Sequence, residues 1–326
     1  MRAVRYHEAG GPDVLRIDTI DRPSVARDEI LVSVEAASPN PTDAKRRARG
    51  VGPLPKTVGS DFAGVVEETG SEITEFSPGD RVCGTGLHTT RFQQGSFADY
   101  VSVPTDVVAP LPDGVTFREG AAVALVGVTA WRALLDHAEL RPTETCLVHG
   151  GTGGVGHVAV QLADSLNATV VATAGSEETR RAAANFGADE VFSYDRDHED
   201  LRAAVVDAVG PVDVVLDHRV DEYFTFDLDV AAFNGRIIQY SSLDGTVEHS
   251  GAALRKNLTI QAMTMSNLAT RTSIRSVASV LGPVLDLVAR GGIAPTIARS
   301  YALEEAAEAQ RSLMSDSFIG KLLVEL

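Results

Sequence analysis

The stretch Thr145–Gln161, TCLVHGGTGGVGHVAVQ, decides the fold of this 326-residue chain. A β-branched, apolar run enters a cluster of glycines, and the cluster opens directly into apolar residues at helical spacing. Strand, glycine turn and helix in that order predict a dinucleotide-binding turn. Gly151, Gly153 and Gly156 stand at G-x-G-x-x-G spacing, with Gly154 and Val155 inside the interval. The glycines permit a tight turn, close approach of backbone to a pyrophosphate, and close packing of helix on strand. Phosphates would then face N–H groups at a helix N-terminus, where the macrodipole favours negative charge. Glycine clusters also make ordinary turns; the strand before and the helix after separate the two readings.

The next apolar run, Thr169–Ala174 (TVVATA), is predicted to end beside the adenosine ribose. Sites that prefer NAD place Asp or Glu there, about twenty residues beyond the glycines, to accept hydrogen bonds from the ribose hydroxyls. This chain has Gly175 and Ser176 instead. With no carboxylate to repel it, a 2′-phosphate can be held by the Ser176 hydroxyl and by Arg180 or Arg181, with Tyr194 following the next strand. The expected cofactor is therefore NADPH. Glu177 and Glu178 oppose that reading only if they turn inward, since acids in a first helical turn complement its dipole. The arginines also fit an ordinary solvated helix face.

A formal charge of −16, from 45 acidic and 29 basic residues, excludes a nucleic-acid partner, because phosphate binding needs a basic footprint. Lysine occurs only at Lys45, Lys56, Lys256 and Lys321. An acidic, lysine-poor surface suits a halophilic protein kept soluble in high salt, and GC-rich coding produces the same bias. No apolar run reaches the roughly 18 residues of a membrane span, and MRAVRYHEAG begins in strand-like alternation without a signal-peptide core. A cytoplasmic protein without a membrane partner is expected. Cys83 and Cys146 lie far apart in strand-like contexts, which predicts buried thiols rather than a disulfide.

The first 120 or so residues carry short alternating segments (Ala3–Tyr6, Glu29–Ala36, Gly64–Glu68, Arg81–Gly84, Ala98–Val103) between Pro, Gly and Asp, the pattern of a small β-rich domain. From about Ala121 to Met265, strands such as EVFSY, VDVVLD and GRIIQYS alternate with helical intervals, as in a parallel sheet wound with helices. Amphipathic helices around Ile274–Ala289 and Leu303–Met314 and a closing strand, KLLVEL, follow. The expected division is 1–121 with 266–326, and 122–265, the C-terminus rejoining the first domain.

Across its length the chain resembles a known family. NPTDAKRR (Asn40–Arg47), VGSDFAGVVEETG (Val58–Gly70), GDRV (Gly79–Val82), GSFADYV (Gly95–Val101), LVHGGTGGVGHVAVQLA and GADEVFSYD follow in order the pattern of zinc-independent quinone oxidoreductases, the zeta-crystallin-like branch of the medium-chain dehydrogenase/reductase superfamily. The resemblance implies an α/β protein: a GroES-like β-rich catalytic domain and a Rossmann doubly wound parallel-sheet domain, NADPH bound in the cleft between them, and a homodimer formed through the coenzyme domains. It also places Asn40 and Asp43 near the nicotinamide and the Thr129 hydroxyl near its carboxamide. His218, Tyr240 and Ser241 fall on the nicotinamide side of the site.

The superfamily's zinc alcohol dehydrogenases are the reading to eliminate. A catalytic zinc needs three protein ligands from Cys, His, Asp or Glu. Where those enzymes have cysteine this chain has Asn40, where they have histidine it has Ser60, and Val123–Val128 supplies no third ligand. Asp61 alone cannot hold zinc, and Cys83 has no neighbour at C-x-x-C spacing. No metal is expected, so catalysis must come from placing the nicotinamide C4 against the acceptor and excluding water. Asn40 can donate to a carbonyl oxygen as charge develops; Asn40 with Pro41 equally fits a turn, and Thr129 a helix cap. His149 and His157 read as structural.

Several positions depart from the family. AKRRARGVGPLP lacks the aromatic residue common after NP-x-D; His218, Arg219 and Val220 follow Asp217 where small residues are usual, and Tyr240 replaces a glycine. Lys45, Arg46, Arg47 and Arg49 can hold an anionic substrate tail or form a solvated face. The expected activity is NADPH-dependent hydride transfer to a quinone or another α,β-unsaturated carbonyl. A 2-enoyl thioester reductase is the alternative enzyme. A non-enzymatic NADPH-binding structural or regulatory protein is the alternative outside enzymes, if His218, Arg219 and Tyr240 block the acceptor site.

Overall fold

The computed structural model describes residues 1–86, 94–240, 251–265, 268 and 276–326. The chain forms two compact units, Met1–Val128 with Met265–Gly291 and Pro295–Leu326, and Thr129–Thr264 with Gly292–Ala294. The division falls between Val128 and Thr129, whereas the change in sequence pattern places it at 121/122. A single helix, Phe117–Trp131, runs through that region, and packing rather than composition fixes where it changes unit. A Cβ at Gly127 would stand 2.6 Å from Val284 Cγ1, in the helix Val277–Ala289. Residues 122–128 are thus bound to the first unit by close helix packing.

The second unit holds a six-stranded sheet in the order Glu190–Ser193, Thr169–Ala174, Thr145–Val148, Val212–Asp217, Ala231–Gln239, Thr259–Ala262, all pairs parallel. Numbered within the unit this is 3-2-1-4-5-6, the doubly wound order whose switch point lies beside the first strand. The central strands are buried nearly throughout because helices cover both faces. Leu147, Val171, Val215 and Ile237 from the strands meet Leu201, Phe224 and Phe226 from the helices in one core cluster. The edge strand Thr259–Ala262 carries one apolar residue in four besides its alanine, too little patterning to mark it in the sequence.

In the first unit the long strand Glu29–Ser38 organises a seven-stranded sheet. It pairs antiparallel with Asp61–Thr69, Tyr100–Pro104 and Lys321–Glu325, so the last strand of the chain returns to one of the first. Ile297–Ala302 lies parallel to Lys321–Glu325. A separate three-stranded sheet joins Leu15–Thr19, Arg2–Tyr6 and Lys56–Thr57. Neither Leu15–Thr19 nor Ile297–Ala302 stands out in the sequence, since both are largely exposed and weakly apolar. The segment expected to be helical from Leu303 divides into a 3-10 turn, Leu303–Glu305, and a helix, Ala306–Ser315. The helix expected from Ile274 begins at Val277, where Ser276 caps it by accepting the N–H of Ser279 at 3.2 Å.

Both cysteines are buried free thiols. Of the four lysines, Lys56 and Lys321 are buried, and Lys256 donates to the carbonyls of Leu228 and Asp229 at 2.9 and 2.7 Å. Among the described residues no helix is long and apolar enough to cross a membrane.

Candidate active site

The glycine turn lies at the carboxyl end of Thr145–Val148, and the helix Gly154–Ser165 leaves it. Gly150 adopts a left-handed backbone, φ 64°, and Gly153 closes the turn by donating its N–H to Gly150 O at 2.9 Å. A Cβ at Gly151 would stand 2.7 Å from that of Ala172 on the next strand, and one at Gly156 would overlap the carbonyl oxygen of Gly150. At Gly153 the nearest atom would be Gly150 O at 3.4 Å, so this glycine keeps open space rather than close packing. No side chain caps the helix at Gly153, and Gly154 and Val155 form its first turn. The cradle fits a pyrophosphate: uncapped N–H donors, the positive end of a helix dipole, and no Cβ in the way.

At the tip of Thr169–Ala174, Gly175 packs against Tyr194, whose hydroxyl occupies the space a Cβ would need. An acid at this position would have to displace the tyrosine. Ser176 caps the helix Glu177–Asn185, its hydroxyl accepting the N–H of Thr179 at 3.1 Å. Arg180 and Arg181 both pair with Glu177, at 2.7 and 3.0 Å. Glu177 therefore turns toward the arginines along the helix face. Exposed pairs of this kind are worth at most about 1 kcal/mol, so a phosphate can compete for either arginine. Tyr194 is 43% exposed.

His218 and Tyr240 follow directly after adjacent strands, and their rings stack at 6.1 Å and 24°. A Cβ on Gly150 would stand 2.8 Å from His218 Cε1, so His218 leans on the turn itself. Burial pushes its imidazole down to about 4, which keeps it neutral, and among the described residues its Nδ1 is buried without a hydrogen-bond partner. Ser241 lies outside the described residues. His157 is structural, its Nδ1 lying 2.9 Å from Gly153 O.

The first unit gathers Asn40, Asp43, Asp61, Thr85 and Lys321 in one buried cluster. Asn40 and Pro41 open the helix Pro41–Arg49 rather than a simple turn. The Asp43 carboxylate accepts the Asn40 backbone N–H at 2.9 Å; burial, with the nearby Asp61 charge, pushes it up to about 7. Asn40 Nδ2 donates to Asp61 Oδ2 at 2.9 Å and to Ser38 O at 3.4 Å, while Lys321 Nζ donates to Asn40 Oδ1 at 2.6 Å. The amide's polar atoms are thus engaged within the protein, so Asn40 is held in one orientation. Lys321 Nζ also donates to Pro39 O at 3.1 Å and lies 4.0 Å from Asp61 Oδ2. Burial pushes Asp61 up and Lys321 down. Lys321 follows Asn40 by 281 positions, and only the pairing of the last strand with Glu29–Ser38 could have revealed it.

This donor set does not fit zinc. Its two carboxyl groups, Asp43 and Asp61, an amide and the Ser60 hydroxyl, which accepts the N–H of Gly86 at 3.2 Å, supply too few ligands of the required type, and among the described residues no three of His, Cys, Asp and Glu are grouped to hold a metal ion. Thr129 is buried in the interior of the helix Phe117–Trp131, not at its N-terminal cap position. Of the basic segment, Arg47 is not available to a substrate tail: it is buried, with Nε on Gln310 Oε1 at 2.8 Å and Nη1 on Gly10 O.

Residues 26–113 match the family model described as the alcohol dehydrogenase GroES-like domain, and 154–282 match the one described as zinc-binding dehydrogenase. Mouse (Mus musculus) quinone oxidoreductase is 31% identical over 334 residues, the match covering 100% of this chain and 98% of that protein. Among solved structures, an NAD-dependent alcohol dehydrogenase is similar with a TM-score of 0.90 at 31% identity. Escherichia coli quinone oxidoreductase complexed with NADPH gives 0.87 at 26%; both comparisons cover 100% of each chain. Full-length identity, with the glycine turn and the two-unit architecture, establishes that the chain belongs to the quinone oxidoreductase family of the medium-chain dehydrogenase/reductase superfamily.

Proposed function

We propose that the chain is an NADPH-dependent reductase that transfers hydride, without a metal, to a quinone or another α,β-unsaturated carbonyl. The observation that carries this reading is the pairing of an uncapped glycine cradle with a strand tip that has Gly175 and Ser176 in place of an acid. The similar structures name both NAD and NADPH, so the choice of coenzyme rests on the tip itself. Bound coenzyme supplies the hydride. The chain's own task is then to bind, orient and exclude water. Gly151, Gly153, Gly154, Val155 and Gly156 would hold the pyrophosphate. Ser176, Arg180 and Tyr194 would hold the 2′-phosphate beside Gly175. His218 and Tyr240 would flank the nicotinamide, and the Thr129 hydroxyl would face its carboxamide. Because its amide is already engaged, Asn40 serves as a positioning residue, and Asp43 lends a buried carboxyl that gains or loses its proton near neutrality.

The test is steady-state NADPH oxidation with a panel of quinones, enones and enoyl thioesters. Turnover with the first two classes supports the proposal. Turnover confined to the thioesters selects the other reductase, and tight NADPH binding without oxidation of any acceptor selects a non-enzymatic role.

A further inference from the structure

Beneath the glycine turn runs a buried hydrogen-bond chain. Gly150 donates its N–H to Thr173 Oγ1 at 3.0 Å. Thr173 Oγ1 lies 3.3 Å from His149 Nδ1, and His149 Nε2 lies 2.8 Å from Asp227 Oδ1. The imidazole cannot turn away: it stacks on Tyr223 at 4.4 Å and 6°, with Phe226 edge-on at 5.7 Å. Asp217, at the end of the strand next to that of His149, accepts the N–H of Arg219 at 2.6 Å through Oδ1. Thr173, His149, Asp217 and Asp227 are all fully buried.

The Asp217 and Asp227 carboxyl groups lie close enough to hydrogen-bond each other, and among the described residues Oδ2 of each is buried with no other hydrogen-bond partner. Two ionised carboxylates so placed would repel each other in a medium that screens poorly, and a single proton between them removes the conflict. The other charged or titratable groups that face the cluster do not neutralise it. Glu222 adds negative charge, and it pairs with Arg219 at the surface. His198 and His218 oppose further positive charge on His149. Burial pushes the aspartate pair above the usual carboxylate range and His149 down to about 4. A neutral His149 bearing its proton on Nε2 then gives one direction to the chain: Gly150 N–H to Thr173, Thr173 O–H to His149, His149 N–H to Asp227.

We propose that His149 is a positioning residue for the coenzyme turn and that Asp217 and Asp227 share a proton whose retention is coupled to dinucleotide binding. The physical link is charge. A pyrophosphate over the turn adds negative charge, so the bound state favours the protonated pair, and by linkage the protonated pair favours the bound state. This rests on the coenzyme reading given above.

The experiment is calorimetric titration with NADPH from pH 7 to 9.5, repeated near pH 8.5 in two buffers of different ionisation enthalpy. Affinity should fall about tenfold for each unit by which binding raises the pair's pKa, with net proton uptake on binding. In Asp227→Asn both the pH dependence and the uptake should largely vanish. Thr173→Val, which leaves the carboxyl pair intact, should weaken binding several-fold at every pH while keeping the uptake. If Asp227→Asn does not fold, Asp217→Asn and the wild-type proton count decide the matter. NADPH binding with no proton uptake, or uptake undiminished in a folded Asp227→Asn or Asp217→Asn protein, overturns the coupling and leaves the coenzyme reading standing. An absence of NADPH binding at every pH overturns both.

Discussion

Replacing Lys321 with Met tests whether the buried cluster of the first unit is an electrostatic assembly or merely a packed one. Methionine keeps most of the aliphatic volume, so the change removes the ammonium with little cavity. That ammonium lies 2.6 Å from Asn40 Oδ1, 3.1 Å from Pro39 O and 4.0 Å from Asp61 Oδ2. At 4 Å and an effective dielectric of about 20 the attraction to Asp61 is about 4 kcal/mol. Stripping one partner from a buried pair costs about 3–5 kcal/mol, because the remaining charge is left uncompensated. Lys321→Met should therefore lose about 4 kcal/mol of stability at pH 8. Asp61 already has a raised pKa in the folded protein from burial, and removing the cation raises it further. A carboxyl group whose folded pKa exceeds its unfolded value favours the fold at low pH and loses that benefit as the pH rises through the folded pKa. The deficit should accordingly shrink as the pH falls toward 5, and the double variant with Asp61→Asn should recover most of it. Urea denaturation at both pH values measures the effect. An equal deficit at the two, with no recovery in the double variant, would refute the electrostatic account.

NADPH should bind at least about tenfold tighter than NADH, equivalent to about 1.4 kcal/mol, and Arg180→Ala should weaken NADPH alone; equal affinities by calorimetry would remove the 2′-phosphate assignment. Glu177→Gln, which frees both arginines, should tighten NADPH if either one binds phosphate. Gly156→Ala and Gly153→Ala should separate packing from binding. The first forces a Cβ into Gly150 and should cost about 1–3 kcal/mol of stability, while the second should leave the melting curve in place and lose NADPH affinity, a pattern whose reversal would exchange the two roles. Prolonged chelation should leave reductase activity intact, and stoichiometric zinc lost together with activity would overturn the metal-free mechanism.

The glycine motif was readable because its mechanism needs particular residues at particular local spacings, and the same holds for the alternating strands around it. The edge strands Leu15–Thr19 and Ile297–Ala302 were not, since solvent on both sides of an edge removes the apolar signal. Asn40 and Asp43 stood out as a motif, but Lys321, which fixes the amide of Asn40, sits 281 positions away. Asp227 likewise lies inside a largely buried helix, Val220–Val230, and becomes meaningful only when packing sets it against His149. Local rules carry no information about which distant polar groups a fold will bury together.

The placement of the lysines gives the folded protein a sparse amine chemistry. Two of the four are buried, and the ammonium of a third is spent on backbone carbonyls. An amine-acylating reagent added to the native chain has the half-buried Lys45 and Lys256 as its accessible lysine targets. Lys56 and Lys321, both in the first unit, can react only when that unit opens. Their acylation rates, followed residue by residue by mass spectrometry, would time the opening of the β-rich unit, with the already accessible Lys45 and Lys256 as internal references.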